Sequence, residues 1–327
     1  MIDTSAHNIL ANLWFCLLAI VLALYVITDG FDLGIGILSL MTPRASDRDQ
    51  MIHSINHVWG ANETWLVVLG GGLFGAFPIV YATLLSGMYG VVMLLIAALI
   101  MRGAAIEFRH AARKPRAWDC VFGVGSLLAA IAQGLILGRL ITGFSGGTAD
   151  FAFSLVSALG VVSGYILLGA TYLIKKVTGR VERNARKWTI LSVFTTMVCA
   201  LVLSFGTRSL SEVGLARWTE PSIFHVLLVF AFIAAMSGLY IVVTTAMNRV
   251  LAPFAGAAAL FLSSFIGLAT SLWPYVIPGR LTIHDAASDS STLAFMLAGF
   301  GMLLPVMVGY NLYQYFIFRG KVEIEPY

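Results

Sequence analysis

Apolar residues run through this chain in long unbroken stretches, with polar residues gathered between them. A run of about 20 apolar residues crosses roughly 30 Å of hydrocarbon as a helix. Nine such runs can be placed, near 10–40, 59–77, 79–106, 118–142, 151–173, 188–205, 223–247, 253–275 and 292–318. The second is the weakest helix, because Gly70, Gly71, Gly72 and Gly75 lead into Pro78, a pattern that predicts a broken helix or half of a tight helical hairpin. The largest connections, 41–58, 174–187, 206–222 and 276–291, are too short for a soluble domain. The pattern predicts an all-α integral membrane protein of about nine transmembrane helices, one domain over 1–327. The charged connection 175–187 is its natural divide, giving sub-bundles near 9–143 and 151–276 and a final helix near 291–318.

Composition agrees: of 327 residues 59% are hydrophobic and only 11% charged, outside the range of water-soluble domains. The net charge of +4 needs no nucleic acid to explain it, because the basic residues are distributed as a topology signal. With nine spans, one set of loops holds Arg44, Arg48, Arg109, Arg113, Lys114, Arg116, Lys175, Lys176, Arg180, Arg183, Arg186, Lys187, Arg249, Arg319 and Lys321, and the other only Arg139, Arg208, Arg217 and Arg280. Short loops rich in Lys and Arg stay cytoplasmic, so the N-terminus is expected outside and the C-terminus in the cytoplasm. The first residues carry no basic segment, and the first apolar run is too long for a signal-peptide core, so helix 1 is expected to act as its own insertion signal.

Against this background a few ionisable residues stand out. Asp29 and Asp32 lie inside the first apolar run, where a charge costs about 2.5–3.5 kcal/mol on insertion scales. Three residues apart, they share one helix face, and Gly30 and Gly34 form a small-xxx-small seam alongside that admits another helix carrying a partner. The bland reading is that Asp32 caps a helix end, against which Leu33, Ile35, Ile37 and Leu38 continue the run. Arg102, several residues before the end of the third run, supplies a positive charge on the same side, with Asp29 or Asp32 as its expected partner. In Trp59-Gly-Ala-Asn62-Glu63-Thr-Trp65 an amide and a carboxyl fall in the first turns of an apolar helix. Two readings stand: a proton relay through Glu63, or an interfacial helix start with Trp59 and Trp65 as belt aromatics. Arg109 and His110 read as membrane-edge residues outside any site.

Haem held between two imidazoles needs histidines facing each other within the bilayer. His7, His53, His57, His110, His225 and His284 all fall at span ends or in loops, which predicts a chain that binds no haem by itself. His53 and His57 have metal-pair spacing without a third ligand nearby and read as interfacial residues; no metal site is expected. Cys16, Cys120 and Cys199 show no paired spacing and read as small apolar residues. Asp285 and the polar stretch from Ser288 to Ser291 read as turn and helix-start chemistry.

Taken in order, Thr28-Asp-Gly-Phe-Asp-Leu-Gly34, the Trp59/Asn62/Trp65 segment, Arg102-Gly-Ala-Ala-Ile-Glu-Phe-Arg109, Trp273-Pro-Tyr-Val-Ile-Pro278, Asp285-Ala-Ala and Phe318-Arg-Gly-Lys321 resemble subunit II of the cytochrome bd-type ubiquinol oxidases, the family that includes the cyanide-insensitive terminal oxidases. The resemblance covers nearly the whole chain. It implies two four-helix bundles plus a ninth, peripheral helix, paired with a homologous subunit I that carries the haems, b and d or b only, and oxidises quinol. It also implies oxygen reduced to water with protons from the cytoplasm, ubiquinol as substrate, a small single-helix accessory subunit in some complexes and a structural quinone in some relatives. This chain would then be scaffold and wall of a proton path in a bacterial inner membrane.

By position, the resemblance assigns Asp29, Asp32 and Arg102 to a buried charged cluster, and Glu107, in the same matching segment as Arg102, is expected to join it. The resemblance matches Trp59 and Asn62 to the segment implicated in proton uptake and gives no catalytic residue to this chain; Glu63, Asp29 and Asp32 complete the expected proton path. One departure stands out: some relatives have an acid directly after the tryptophan, where this chain has Gly60. Glu63 lies one turn on, a displacement of about 5 Å that water can fill. A proton-coupled transporter and a purely structural membrane subunit are the competing readings.

Overall fold

The computed structural model describes residues 4–109, 111–113 and 115–322. His110, expected at the membrane edge, and Lys114, expected in a basic loop, lie outside the described residues, as do both chain ends. Thirteen helices and one short hairpin follow in order among those described. They are α1 (Thr4–Leu40), α2 (Ala45–His53), α3 (Trp59–Ala76), α4 (Pro78–Gly87), α5 (Tyr89–Arg109), α6 (Pro115–Ile141), α7 (Gly147–Lys176), α8 (Gly179–Leu210), α9 (Glu212–Thr219), α10 (Pro221–Ala246), α11 (Ala252–Leu272), β1 (Tyr275–Ile277), β2 (Leu281–Thr282), α12 (Ile283–Ala286) and α13 (Ser290–Ile317). Eight of these are long and apolar enough to span a membrane alone, and α3 with α4 makes a ninth candidate bent by 116°.

The bend has a local cause. Pro78 has no N–H to continue the helix and pushes the preceding residue out of helical geometry, so Phe77 sits at φ −134°, ψ 63°. Carbonyls freed at the break need partners in an apolar setting. Ser288 supplies them: its N–H donates to the Ala76 carbonyl at 2.9 Å and its hydroxyl to the Gly75 carbonyl at 2.7 Å. The polar stretch read as turn chemistry therefore caps the break in a distant helix.

Two expectations are corrected by the fold. The run 79–106 is not one helix: it breaks at Met88, at φ −135°, ψ 32°, between Gly87 and Tyr89, where the poor helix propensity of Gly87 and Gly90 weakens continuity. The connection 174–187 is mostly helix, since α8 begins at Gly179 and only Val177 and Thr178 separate it from α7.

Helix α1 is the hub, packed against α3, α6 and α7, while α7 also packs on α6 and α8, and α10 with α11 closes against α8 and α7. The α1–α7 approach is set by glycine: a Cβ on Gly34 would lie 1.8 Å from the Tyr165 carbonyl oxygen, and one on Gly169 2.7 Å from the Gly34 carbonyl carbon. The seam read from Gly30 and Gly34 thus forms, but it admits α7 and not the helix that carries the arginine. Helix α13 lies at the edge against α1 and α3, with only Leu293 and Asn311 fully buried.

Candidate functional site

Five helices gather around the aspartates of α1. Asp29 and Asp32 are both 0% exposed. Arg102, also 0% exposed, arrives on α5, whose backbone is drawn in by Gly125 of α6: a Cβ there would lie 2.8 Å from the Ala98 carbonyl oxygen and 3.1 Å from the Arg102 nitrogen. Arg102 Nη1 donates to Asp29 Oδ1 at 2.5 Å and Nη2 to Glu63 Oε2 of α3 at 2.7 Å. The arginine therefore joins a wholly buried carboxylate to one whose side chain is 26% exposed. From the same turn of α3, Asn62 Nδ2 donates to Asp32 Oδ2 at 2.8 Å, and Tyr315 of α13 donates its hydroxyl to Asn62 Oδ1 at 2.6 Å. On the side of α6 and α7, Tyr165 donates to Gln133 Oε1 at 2.5 Å and Gln133 Nε2 donates to the Tyr25 hydroxyl at 2.8 Å, one turn before Asp29 on α1.

Three carboxyls surround a single guanidinium that bonds two of them, so the cluster has more acid groups than base. Among the described residues Asp32 Oδ1 and Arg102 Nε are buried with no hydrogen-bond partner, while the Asp29 carboxyl, bonded to Arg102 through Oδ1, also has the Tyr25 hydroxyl beside it.

The structure brings together Asp29, Asp32, Asn62, Glu63 and Arg102. Trp59 is half-buried and packs against α5 next to the arginine, its ring 3.4 Å from where a Cβ on Gly103 would sit. Trp65 is 1% exposed and packs with Val21 and Tyr25, which corrects the belt-aromatic reading for that residue. Gly60 is exposed, with open space where a side chain would project. Glu107 is not brought to the cluster. Five residues after Arg102, it points well around the helix from it and is exposed. Tyr25, Gln133, Tyr165 and Tyr315 are members of the site that sequence reasoning misses; Gln133, a lone amide inside the fourth apolar run, is the one visible signal among them.

Arg109 lies outside this cluster, in a separate network at the end of the bundle. It donates Nε to Asp119 Oδ1 at 2.5 Å and Nη2 to Asp49, while Arg48 Nε donates to Asp119 Oδ2 at 2.7 Å. Arg180 grips both oxygens of Asp47 at 2.7 Å each. At the opposite end Arg139 pairs with Asp150 at 2.5 Å, and Arg217 and Arg280 donate to the carbonyls of Trp273 and Phe144.

The described histidines have local neighbours. His53 and His57 touch each other edge-on at 5.9 Å, one turn apart on the same segment, and His57 stacks on Phe318 at 4.3 Å. His225 hydrogen-bonds the Pro221 carbonyl and His7 the Ser290 hydroxyl. Among the described residues no three His, Cys, Asp or Glu side chains gather as a metal site.

Comparison with known proteins bears on this geometry. The profile of the family described as "Cytochrome bd terminal oxidase subunit II" matches residues 10–318. The chain is 24% identical to the cytochrome bd-I ubiquinol oxidase subunit 2 of Escherichia coli K12, covering 99% of this chain and 97% of that one. It is 28% identical to the cytochrome bd ubiquinol oxidase subunit 2 of Bacillus subtilis, covering 96% and 97%. Its fold is similar to a chain of the bd oxidase from Geobacillus thermodenitrificans, with a TM-score of 0.78 at 17% identity over 94% of this chain and 98% of that one. Neither the transporter reading nor the purely structural one is favoured by these matches.

Proposed function

This chain belongs to the cytochrome bd terminal oxidase subunit II family, and from that premise we propose that its buried cluster is a cytoplasmic proton-uptake path serving oxygen reduction. The chain is a multi-pass membrane subunit of a bd-type quinol oxidase, an oxidoreductase complex that includes a subunit I. Haem b with haem d, or haem b alone, is held by subunit I and supplies the electron transfer to oxygen. In our reading ubiquinol is the reductant, as the names of the relatives from Escherichia coli and Bacillus subtilis indicate for those proteins. A structural quinone and a small accessory subunit belong to the same reading, in a bacterial inner membrane.

Orientation is part of the proposal. The loops rich in Arg and Lys form one end of the bundle, where Arg48, Arg109, Arg180 and Lys321 find acidic partners, and Arg139, Arg217 and Arg280 lie at the other. The positive-inside bias supports a cytoplasmic C-terminus and an outer N-terminus. Asp29 and Asp32 then lie in the cytoplasmic half of α1. Sub-bundles over 9–143 and 151–276, with the helix over 291–318 outside them, remain our working division.

The observation that carries the reading is the double grip of Arg102 on a half-open Glu63 and a closed Asp29. Glu63 is the acid that water reaches first, and Arg102 keeps it within one guanidinium of the buried aspartate. Asn62 and Trp59 hold the walls. Glu63→Gln keeps the size and the acceptor for Arg102 but removes the acid proton. Oxygen-reducing turnover of the purified complex is expected to fall, by up to about 10²-fold. Haem content should stay intact, and the defect should grow as protons become scarcer with rising pH. Unchanged turnover between about pH 6 and 9 would remove Glu63 from the path.

A further inference from the structure

We propose that Tyr315 is a positioning residue that, by fixing the Asn62 amide, decides which oxygen of Asp32 loads and releases a proton. The inference rests on the reading that Asp32 belongs to the proton path.

An amide has one accepting end and one donating end. Tyr315 donates to Asn62 Oδ1 at 2.6 Å, which turns Nδ2 toward Asp32 Oδ2 at 2.8 Å. With one lone pair of Oδ2 already accepting the Asn62 N–H, that oxygen is the less basic of the two. Oδ1, buried and without a partner among the described residues, is therefore the oxygen open to protonation. An arriving proton bonds to a lone pair of Oδ1 and neutralises the carboxylate, and the same O–H bond breaks on release; Asn62 and Tyr315 keep their own protons throughout. The arrangement also guards against a trap. Without the phenol, an amide beside the protonated acid is free to turn its oxygen toward Asp32. It then accepts the carboxyl O–H and holds that proton in a hydrogen bond.

The geometry on α13 is specific to this task. The helix buries little else, yet it delivers a hydroxyl to an amide two helices away from the arginine. Tyr165 treats Gln133 in the same way, donating to its oxygen so that its nitrogen donates onward to Tyr25, beside the other aspartate.

The test uses the intact purified complex carrying Tyr315→Phe, Asn62→Leu, both together, or Asp32→Asn, each checked for haem content. Turnover, the KM for quinol, and the infrared carboxyl band that Asp32→Asn abolishes are measured. Tyr315→Phe is expected to lower turnover by about three- to tenfold, the worth of one neutral hydrogen bond, at unchanged KM. It should also move the Asp32 band to lower frequency, as the carboxyl O–H becomes hydrogen-bonded, and add nothing in the Asn62→Leu background. A Tyr315→Phe complex with wild-type turnover and an unmoved band, beside an Asp32→Asn complex that is slow, would overturn the inference and leave the proton path standing. Additive losses in the double variant would overturn it equally, because the tyrosine would then act without the amide. Wild-type turnover in Asp32→Asn would instead remove the path itself.

Discussion

Buried carboxylates at the ends of the bundle and in its middle are treated differently by the chain. Asp119, near one end, has Oδ2 held by Arg48 and Oδ1 by Arg109. Asp150, at the other, accepts from Arg139 and the Gly146 N–H on Oδ2 and from Thr142 on Oδ1. Asp32, more deeply buried than either, has only one oxygen engaged by a hydrogen bond among the described residues, and Asp29 beside it is held by Arg102 with the Tyr25 hydroxyl close by. A buried polar atom left unsatisfied costs about 1–3 kcal/mol. Structural charges avoid that cost by saturating both oxygens, and the rim carboxylates do so. In the proposed path the half-satisfied Asp32 in the middle has one oxygen fixed and the other open to a proton. On that proposal, location and bonding together would separate a clamp from a relay.

The sharpest way to break the comparison is at Arg102, which serves both roles at once. Arg102→Leu leaves Asp29 buried without its counter-charge, and Asp29→Asn leaves the arginine with Glu63 alone; each is expected to cost about 3–5 kcal/mol of complex stability. Haem content per particle measures it. The double variant should lose less than the sum, because residues in one ion pair couple strongly, and strictly additive losses would show that the two are not paired.

The membrane helices and the charged middle are legible in the amino-acid sequence for a physical reason. Charge inside an apolar run is so costly that Asp29, Asp32 and Arg102 announce themselves. Pairing across helices is inferable from sign alone, and the expected partnership of Arg102 with Asp29 is the one found. Angular relations between helices are not legible in the same way. Glu63 and Arg102 lie on separate helices whose relative rotation depends on Gly125 and on the bend at Phe77, so their contact is a tertiary fact. Glu107 is near the cluster in sequence but not in space, because five residues on a helix turn a side chain away. Tyr315 and Tyr165 give no signal because a tyrosine in an apolar helix is ordinary, and only an amide within reach of its hydroxyl makes it part of a site.

Asp119→Asn probes the other side of the comparison. It weakens two charge-assisted hydrogen bonds that tie α2, α5 and α6 together, at about 1.5–3 kcal/mol. Thermal stability of the purified complex should drop, while turnover per haem stays at the wild-type level. A turnover loss like that of Glu63→Gln would mean that saturation of both oxygens does not mark a clamp, and the distinction between rim and middle would fail.

The smallest effect is expected at Asp47. Its pairing with Arg180 has the same two-oxygen geometry as a clamp, but the arginine side chain is 41% exposed. Water competes for the guanidinium and salt screens the pair, so geometry alone overstates its worth. Asp47→Asn should therefore cost about 0–1 kcal/mol, with the difference shrinking as ionic strength rises. Measured beside Asp119→Asn in the same thermal assay, it separates two properties the rim carboxylates share, full satisfaction and burial. A loss at Asp47 as large as that at Asp119 would make bidentate geometry the source of rim stability. The expected gradient from Asp47 through Asp119 to Asp29 makes burial the source, and in the proposed path the same burial is what would make an unfilled oxygen a place to load a proton.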